Sequence, residues 1–269
     1  MNKHILITGS TDGIGKLTAL KLAKEGHHVY LHGRNEAKLN TVVSELKEVS
    51  NNKNIKGFVT DFSDIKAVKQ LAGLIKNEVP KLDILINNAG IYKSPTDKTK
   101  AGLDIRMAVN YFAPVVLTDN IVSVLDKGTN ARIINLSSAA QSTVQKGVLT
   151  GDATVNASES YAQSKLALTM WSFKFAQEHP NITTIAVNPG SLLNTKMANE
   201  AYGQHWSPAE KGVDILYDLA MSERNKNQSG TYFDNDRGMF SNAHPNAYDA
   251  DKIKSLLTLT EAIISNYIK

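Results

Sequence analysis

The chain has 269 residues, of which 42% are hydrophobic, enough to bury a sizeable core. It contains 0 cysteines, which excludes disulfides, thiolate catalysis and Cys-ligated zinc. The formal charge is +4, with Lys and Arg interspersed among Asp and Glu, so the basic balance reads as a solvated surface rather than a nucleic-acid face.

Strand and helix signals alternate from the start. "KHILIT" is a short apolar run ending at Gly9 and reads as a buried strand. Residues 13–26 read as a helix, with Leu17 and Leu20 at helical spacing and Gly26 as its stop. "HHVYLHG" is the second strand. "NEAKLNTVVSELKEVS" opens on Asn35 as N-cap and continues as an amphipathic helix. "NIKGFVTD" and residues 64–78 give the third strand and helix, and "LDILINNAG" the fourth strand. Residues 101–125 read as one long helix, followed by the strand "ARIINLSS", a helix over 160–178, the strand "ITTIAVNPG" and a seventh strand at "SGTYFD".

Strands joined by single helices imply right-handed crossovers and a mainly parallel sheet covered on both faces. No linker, repeat or low-complexity block divides the chain, so the expectation is one doubly wound α/β domain over residues 1–269 with seven strands. Two irregular segments, near 139–160 and 191–207, leave the carboxyl ends of strands, where ligands bind in open α/β sheets. No apolar run reaches the roughly 18 residues of a membrane helix, and the N-terminus enters a strand at once, so the expectation is a cytoplasmic protein with no membrane partner.

"TGSTDGIG" follows the first strand and opens the first helix. Gly9 permits a tight turn, Gly13 lets a pyrophosphate approach the backbone, and Gly15 lets helix and strand pack closely. The loop lacks the Lys-Ser/Thr ending of a P-loop. At the end of the second strand an acidic residue would bind ribose hydroxyls. Here Gly33 stands in that place and Arg34 follows, a side chain suited to a 2′-phosphate, so NADP(H) is expected, with NAD(H) as the alternative. Asp12 in the loop is the opposing hint.

Tyr161 and Lys165 stand four apart, so on a helix they share a face. A free tyrosine, with a pKa of about 10, is a poor base near neutrality, and an adjacent ammonium lowers it. Ser138 ends the fifth strand and can donate to a developing alkoxide, with Ser137 as the alternative hydroxyl. The seven histidines show no metal-ligand spacing, and no metal is expected. Tyr202, His205 and Trp206 are open between a substrate pocket and exposed loop contacts.

With "TGSTDGIG", Asp61, "NNAG" at 87–90, "INLSS" at 134–138, "YAQSK" at 161–165 and "NPG" at 188–190 in this order, the chain resembles the short-chain dehydrogenase/reductase family over nearly its whole length. "YAQSKLAL" and "GTYF" make it similar to the retinol-dehydrogenase-like subgroup. The resemblance implies a Rossmann fold and an NAD(P)(H)-dependent oxidoreductase that interconverts a carbonyl and an alcohol on a small-molecule substrate. It implies catalytic roles for Ser138, Tyr161, Lys165 and Asn110, the last by ordering a relay water. It implies cofactor contacts at Gly9, Ser10, Thr11, Gly13, Ile14, Gly15, Arg34, Asp61, Asn88, Ala89, Gly90, Tyr161, Lys165, Pro189 and Gly190. It also implies a homodimer or homotetramer. Two features depart from the family pattern: Ser138 and Tyr161 lie 23 positions apart, and the nicotinamide-side Thr is Asn194 or Thr195. The reading from another class is a dinucleotide-binding sensor without turnover.

Overall fold

Apolar β-branched and leucine runs without polar alternation dictate strands buried on both faces. The structure, a computed structural model, describes residues 2–268, the side chains of residues 201 and 202 excepted. Strands β1 (His4–Ile7), β2 (His28–Gly33), β3 (Ile55–Val59), β4 (Ile84–Asn87), β5 (Arg132–Leu136), β6 (Thr183–Asn188) and β7 (Thr231–Asp234) form a parallel sheet. An eighth strand, β8 (Met239–Ser241), pairs antiparallel with β7 and corrects the expected seven. The order is β3-β2-β1-β4-β5-β6-β7-β8, so the chain reverses its winding between β1 and β4. That is the doubly wound Rossmann arrangement, and its switch point is where the crevice for a dinucleotide opens.

Helices α1 (Gly13–Lys24), α2 (Glu36–Ser50) and α9 (Ala209–Met221) cover one face, packing Leu22, Leu46 and Leu216 onto Ile5, Leu31 and Ile185. The other face carries α3 (Ile65–Glu78), α5 (Ala113–Leu125), α7 (Ala157–Glu178) and α10 (Ala250–Ile268). Asn35 caps α2 through the Lys38 amide, as its position in the sequence predicts. α9 and α10 lie outside the elements predicted from sequence.

The helix expected over 101–125 is in fact three pieces. α4 (Ile105–Met107) runs through a π-helical turn, Ala108–Phe112, into α5. Taken together, Ile105–Leu125 has a mean hydropathy of 1.4, and among the described residues it is one helix long and apolar enough to cross a membrane. This corrects the count of apolar runs made from sequence. It is 78% buried within the fold and forms the centre of the α3–α5–α7 layer.

The polar segment 139–160 folds in part as α6 (Lys146–Thr150) and is stapled to α7. Gln145 donates its amide to Gln163 Oε1, and Ser142 donates its hydroxyl to Glu159. α7 begins three residues before the expected start because Asn156 caps it, accepting from the Glu159 amide at 2.9 Å. In the segment 191–207, α8 (Lys196–Tyr202) is capped by Thr195.

Candidate active site

The site is assembled at the carboxyl edge of β1, β4, β5 and β6. β1 delivers the glycine loop. Gly9 sits at φ +62°, and a Cβ there would lie 2.7 Å from Ala89 Cα. A Cβ on Gly15 would lie 2.4 Å from Asn88 Nδ2 and 2.6 Å from the Gly9 carbonyl. Only glycine fits either place. Asn88 donates to the Thr8 and Gly9 carbonyls at 2.8 and 2.9 Å, and the Ala89 amide donates to Thr8 Oγ1. The "NNAG" segment thus holds the loop from the β4 side. Asp12 caps α1 by accepting from the Gly13 amide, while among the described residues the Ile14 and Gly15 amides find no hydrogen-bond acceptor. Those two donors at a helix start, beside a glycine cradle, fit a pyrophosphate.

Beneath the loop lies His32, 3% exposed. Its Nδ1 accepts from the Gly9 amide at 3.1 Å and its Nε2 donates to the Thr60 carbonyl at 3.0 Å, so both contacts require the neutral ring. Burial pushes its pKa down to about 4. Phe62 stacks on the ring at 4.1 Å. Sequence reading gives this histidine only a structural role. The signal that could have found it is its parallel register beside β1, which pairing alone reveals.

Ser10 is fully buried. Its hydroxyl donates to the Ile7 carbonyl and accepts from the His32 amide, so it ties β1 to β2 and is not available to a cofactor. Gly33 is explained sterically: a Cβ there would meet Thr11 Cγ2 at 2.5 Å, so Thr11 occupies the space an acidic side chain would need. Arg34 is exposed and, among the described residues, makes no ion pair or side-chain hydrogen bond. Lys38 pairs with Asp12 at 2.7 Å and holds its carboxyl below the usual range, which removes the opposing hint of negative charge. Asp61 lies at the end of β3 and caps its own turn through the Ser63 amide.

On α7, Tyr161 and Lys165 do share a face, with Lys165 Nζ 5.4 Å from the centre of the Tyr161 ring. The Ser138 side chain stands toward the Tyr161 phenol and draws its pKa down. Ser137 does not compete: it is buried, and its hydroxyl contacts Thr169 Oγ1 at 2.7 Å and donates to the Lys165 carbonyl at 3.1 Å. Lys165 Nζ donates to the Leu136 carbonyl at 2.7 Å and would lie 3.5 Å from a Cβ on Gly90. Burial lowers its pKa to about 8. The expected lowering of the Tyr161 pKa is not what this geometry gives. Burial pushes the phenol up, outweighing the opposing pull of Ser138. The ammonium is directed at a backbone carbonyl instead of the phenol oxygen. Tyr92 tilts over Tyr161 with ring centres 5.1 Å apart, and the buried Arg106 fixes the Tyr92 carbonyl at 2.7 Å.

Asn110 lies in the π-helical turn, a distortion common at functional sites. Its amide donates to the Ile91 carbonyl and to Ser164 Oγ, both at 3.0 Å, and its Oδ1 accepts from the Ile91 amide at 2.8 Å. Both amide hydrogens are therefore committed to holding the segment after "NNAG" against α7. The relay expected of this side chain has no donor left to it.

At the end of β6, the Pro189–Ser191 turn is clamped by the β7–β8 hairpin. Asn235 donates to the Pro189 carbonyl at 2.8 Å, and Asp236 accepts from the Ser191 amide at 2.8 Å and from the Ser191 hydroxyl. Gly190 adopts φ +122°. Of the two candidates in the next turn, the Thr195 methyl lies 3.7 Å from where a Gly13 Cβ would stand, whereas Asn194 is exposed and bonds Asn199. Trp206 is 71% exposed and His205 bonds Asn199, so neither side chain forms a closed pocket wall. The side chain of Tyr202 lies outside the described residues.

Known proteins share this arrangement. The family model of the short chain dehydrogenases matches residues 3–205. Retinol dehydrogenase 12 from Bos taurus is 32% identical over 244 residues, covering 86% of this chain and 77% of that protein. Polyprenol dehydrogenase from Homo sapiens is 32% identical over 207 residues, 73% of this chain and 62% of its own length. Among solved structures, a protein from Escherichia coli CFT073 assigned to the short chain dehydrogenases, complexed with NADPH, superimposes with a TM-score of 0.72. It is 26% identical and covers 87% of this chain and 97% of that one. The chain belongs to the short-chain dehydrogenase family and is an NAD(P)-dependent oxidoreductase of its retinol-dehydrogenase-like branch.

Proposed function

We propose that this enzyme interconverts a carbonyl and an alcohol with NADP(H), using Tyr161 as general acid/base. The observation that carries the reading is Lys165 Nζ, 5.4 Å from the Tyr161 ring, held to the Leu136 carbonyl at the end of β5 and against Gly90 of the "NNAG" turn. A bound nicotinamide supplies or accepts the hydride. Around it the chain's own residues divide the remaining work. Tyr161 gives its proton to the substrate oxygen in reduction and takes it back in oxidation. Ser138 donates to the same oxygen and stabilises charge as it develops there. Lys165, tethered to the Leu136 carbonyl, holds a positive charge under the ring of Tyr161. The Ile14 and Gly15 amides would hold the pyrophosphate, and Arg34 with Lys38 the 2′-phosphate. The filled space over Gly33 supports NADP(H) over NAD(H), as does the NADPH bound by the Escherichia coli relative. The substrate is a small molecule, and relatives named for retinol and polyprenol direct the search to long-chain alcohols and their aldehydes.

The test is titration with NADPH and NADH, then a screen of aldehydes, ketones and quinones for loss of nicotinamide absorbance. Turnover should vanish in Tyr161→Phe, and Arg34→Ala should weaken NADPH more than NADH. Binding without turnover of any carbonyl, unaltered by Tyr161→Phe, would establish a dinucleotide sensor instead. A hundredfold preference for NADH would reject the role of Arg34.

A further inference from the structure

The "GTYF" segment, so far only a mark of kinship, reaches into the site. Tyr232 stands on β7, two strands from β5, and faces the α7 side of the sheet. It is 4% exposed, and its hydroxyl donates to the Ser138 carbonyl at 3.0 Å. The same carbonyl accepts from Gln141 Nε2 at 2.9 Å, while Ser138 Oγ accepts from the Ala140 amide at 3.1 Å. Ser138 Oγ accepts that bond and keeps its own proton to donate. Burial, together with Asp234, pushes the Tyr232 pKa above the usual tyrosine value, so the group remains a donor.

β5 ends at Leu136, so the sheet ladder does not fix residue 138. Its orientation depends on side chains that grip the peptide. A buried tyrosine needs some partner for its hydroxyl. This one takes the Ser138 carbonyl.

We propose that Tyr232 is a positioning residue: by holding the Ser138 peptide from β7, it aims Ser138 Oγ at the Tyr161 hydroxyl and at the substrate oxygen. The inference rests on the catalytic reading of Ser138 given above. It concerns geometry, where small displacements of a reacting group are costly. Gln141 keeps its own bond to the same carbonyl, so loss of Tyr232 is partial.

The test uses Tyr232→Phe, which keeps the ring and removes one oxygen. NADPH consumption with phenanthrenequinone is followed in wild type, Tyr232→Phe, Ser138→Ala and the double variant. Tyr232→Phe should lower kcat about tenfold with the KM for NADPH within about twofold, the loss of one hydrogen bond expressed in the transition state. In the Ser138→Ala background the same change should have no further effect, since the two act as a unit. Independently of any substrate, hydrogen exchange at the Ala140 amide should quicken about tenfold in Tyr232→Phe. Equal losses in both backgrounds, or unchanged Ala140 protection, overturn the proposal. Full activity in Ser138→Ala rejects the catalytic reading itself and is recognisable apart from any effect at Tyr232.

Discussion

Acidification should unfasten this protein at His32. The imidazole accepts from the Gly9 amide and donates to the Thr60 carbonyl, and a proton on Nδ1 would set two donors against each other. The unfolded ring titrates near 6.5 and the folded ring at about 4. Between those values the unfolded chain binds more protons, so stability falls with falling pH, beginning near 6.5 and levelling off near 4. The difference of 2.5 pH units corresponds to about 3 kcal/mol. That is a large share of the 5–15 kcal/mol typical of a folded domain, roughly speaking. The assay is urea unfolding from pH 7.5 to 4 for wild type and His32→Asn, whose Oδ1 can still accept from Gly9 but cannot titrate. His4 and His27 also have lowered pKa values, but they act equally in both proteins and cancel in the comparison. His32→Asn should be less stable at pH 7.5, and the gap should close toward pH 4. A gap that stays constant over that range would refute the reasoning.

Three further outcomes are expected. Gly33→Asp should weaken NADPH binding and lower stability, because its Cβ strikes Thr11, and adding Thr11→Ala should recover stability while shifting preference toward NADH; calorimetric titration with each nucleotide measures this. Asp236→Ala should free the Pro189–Ser191 turn and raise the KM for nucleotide several-fold while changing kcat little, read from steady-state kinetics. Carbonyl reduction should decline above a pH of about 8 as Lys165 loses its charge, so a rate that is flat to strongly alkaline pH would contradict the assigned role.

Much of the site can be read in one dimension because its parts are local. The glycine loop, "NNAG" and the Tyr161–Lys165 pair each lie within one turn or one strand end, where spacing alone fixes who faces whom. What escapes is what depends on register. His32 comes under Gly9 only because β2 pairs with β1 in one particular alignment, and Tyr232 meets Ser138 across an intervening strand. The π-helical turn at Asn110 escapes for another reason: one extra residue in a turn leaves the surrounding helical pattern intact. β8 is three residues long, too short for alternation to register. Ser10 misleads because a serine in a phosphate loop resembles a ligand donor, whereas its hydroxyl is spent between two strands.

The bond between Tyr111 and Thr260 has a consequence for how the chain is made. The two hydroxyls are 2.8 Å apart in the finished fold and 149 residues apart along the chain. Tyr111 is fully buried in the central helical layer, and α10 is the element that satisfies it. During synthesis the glycine loop, β4 and even α7 leave the ribosome while that phenol still lacks its partner. The apolar flank that Leu256, Leu257 and Ile264 later cover stays wet over the same interval. A nascent chain therefore carries the candidate site residues already synthesised yet open along one side until α10 packs against them.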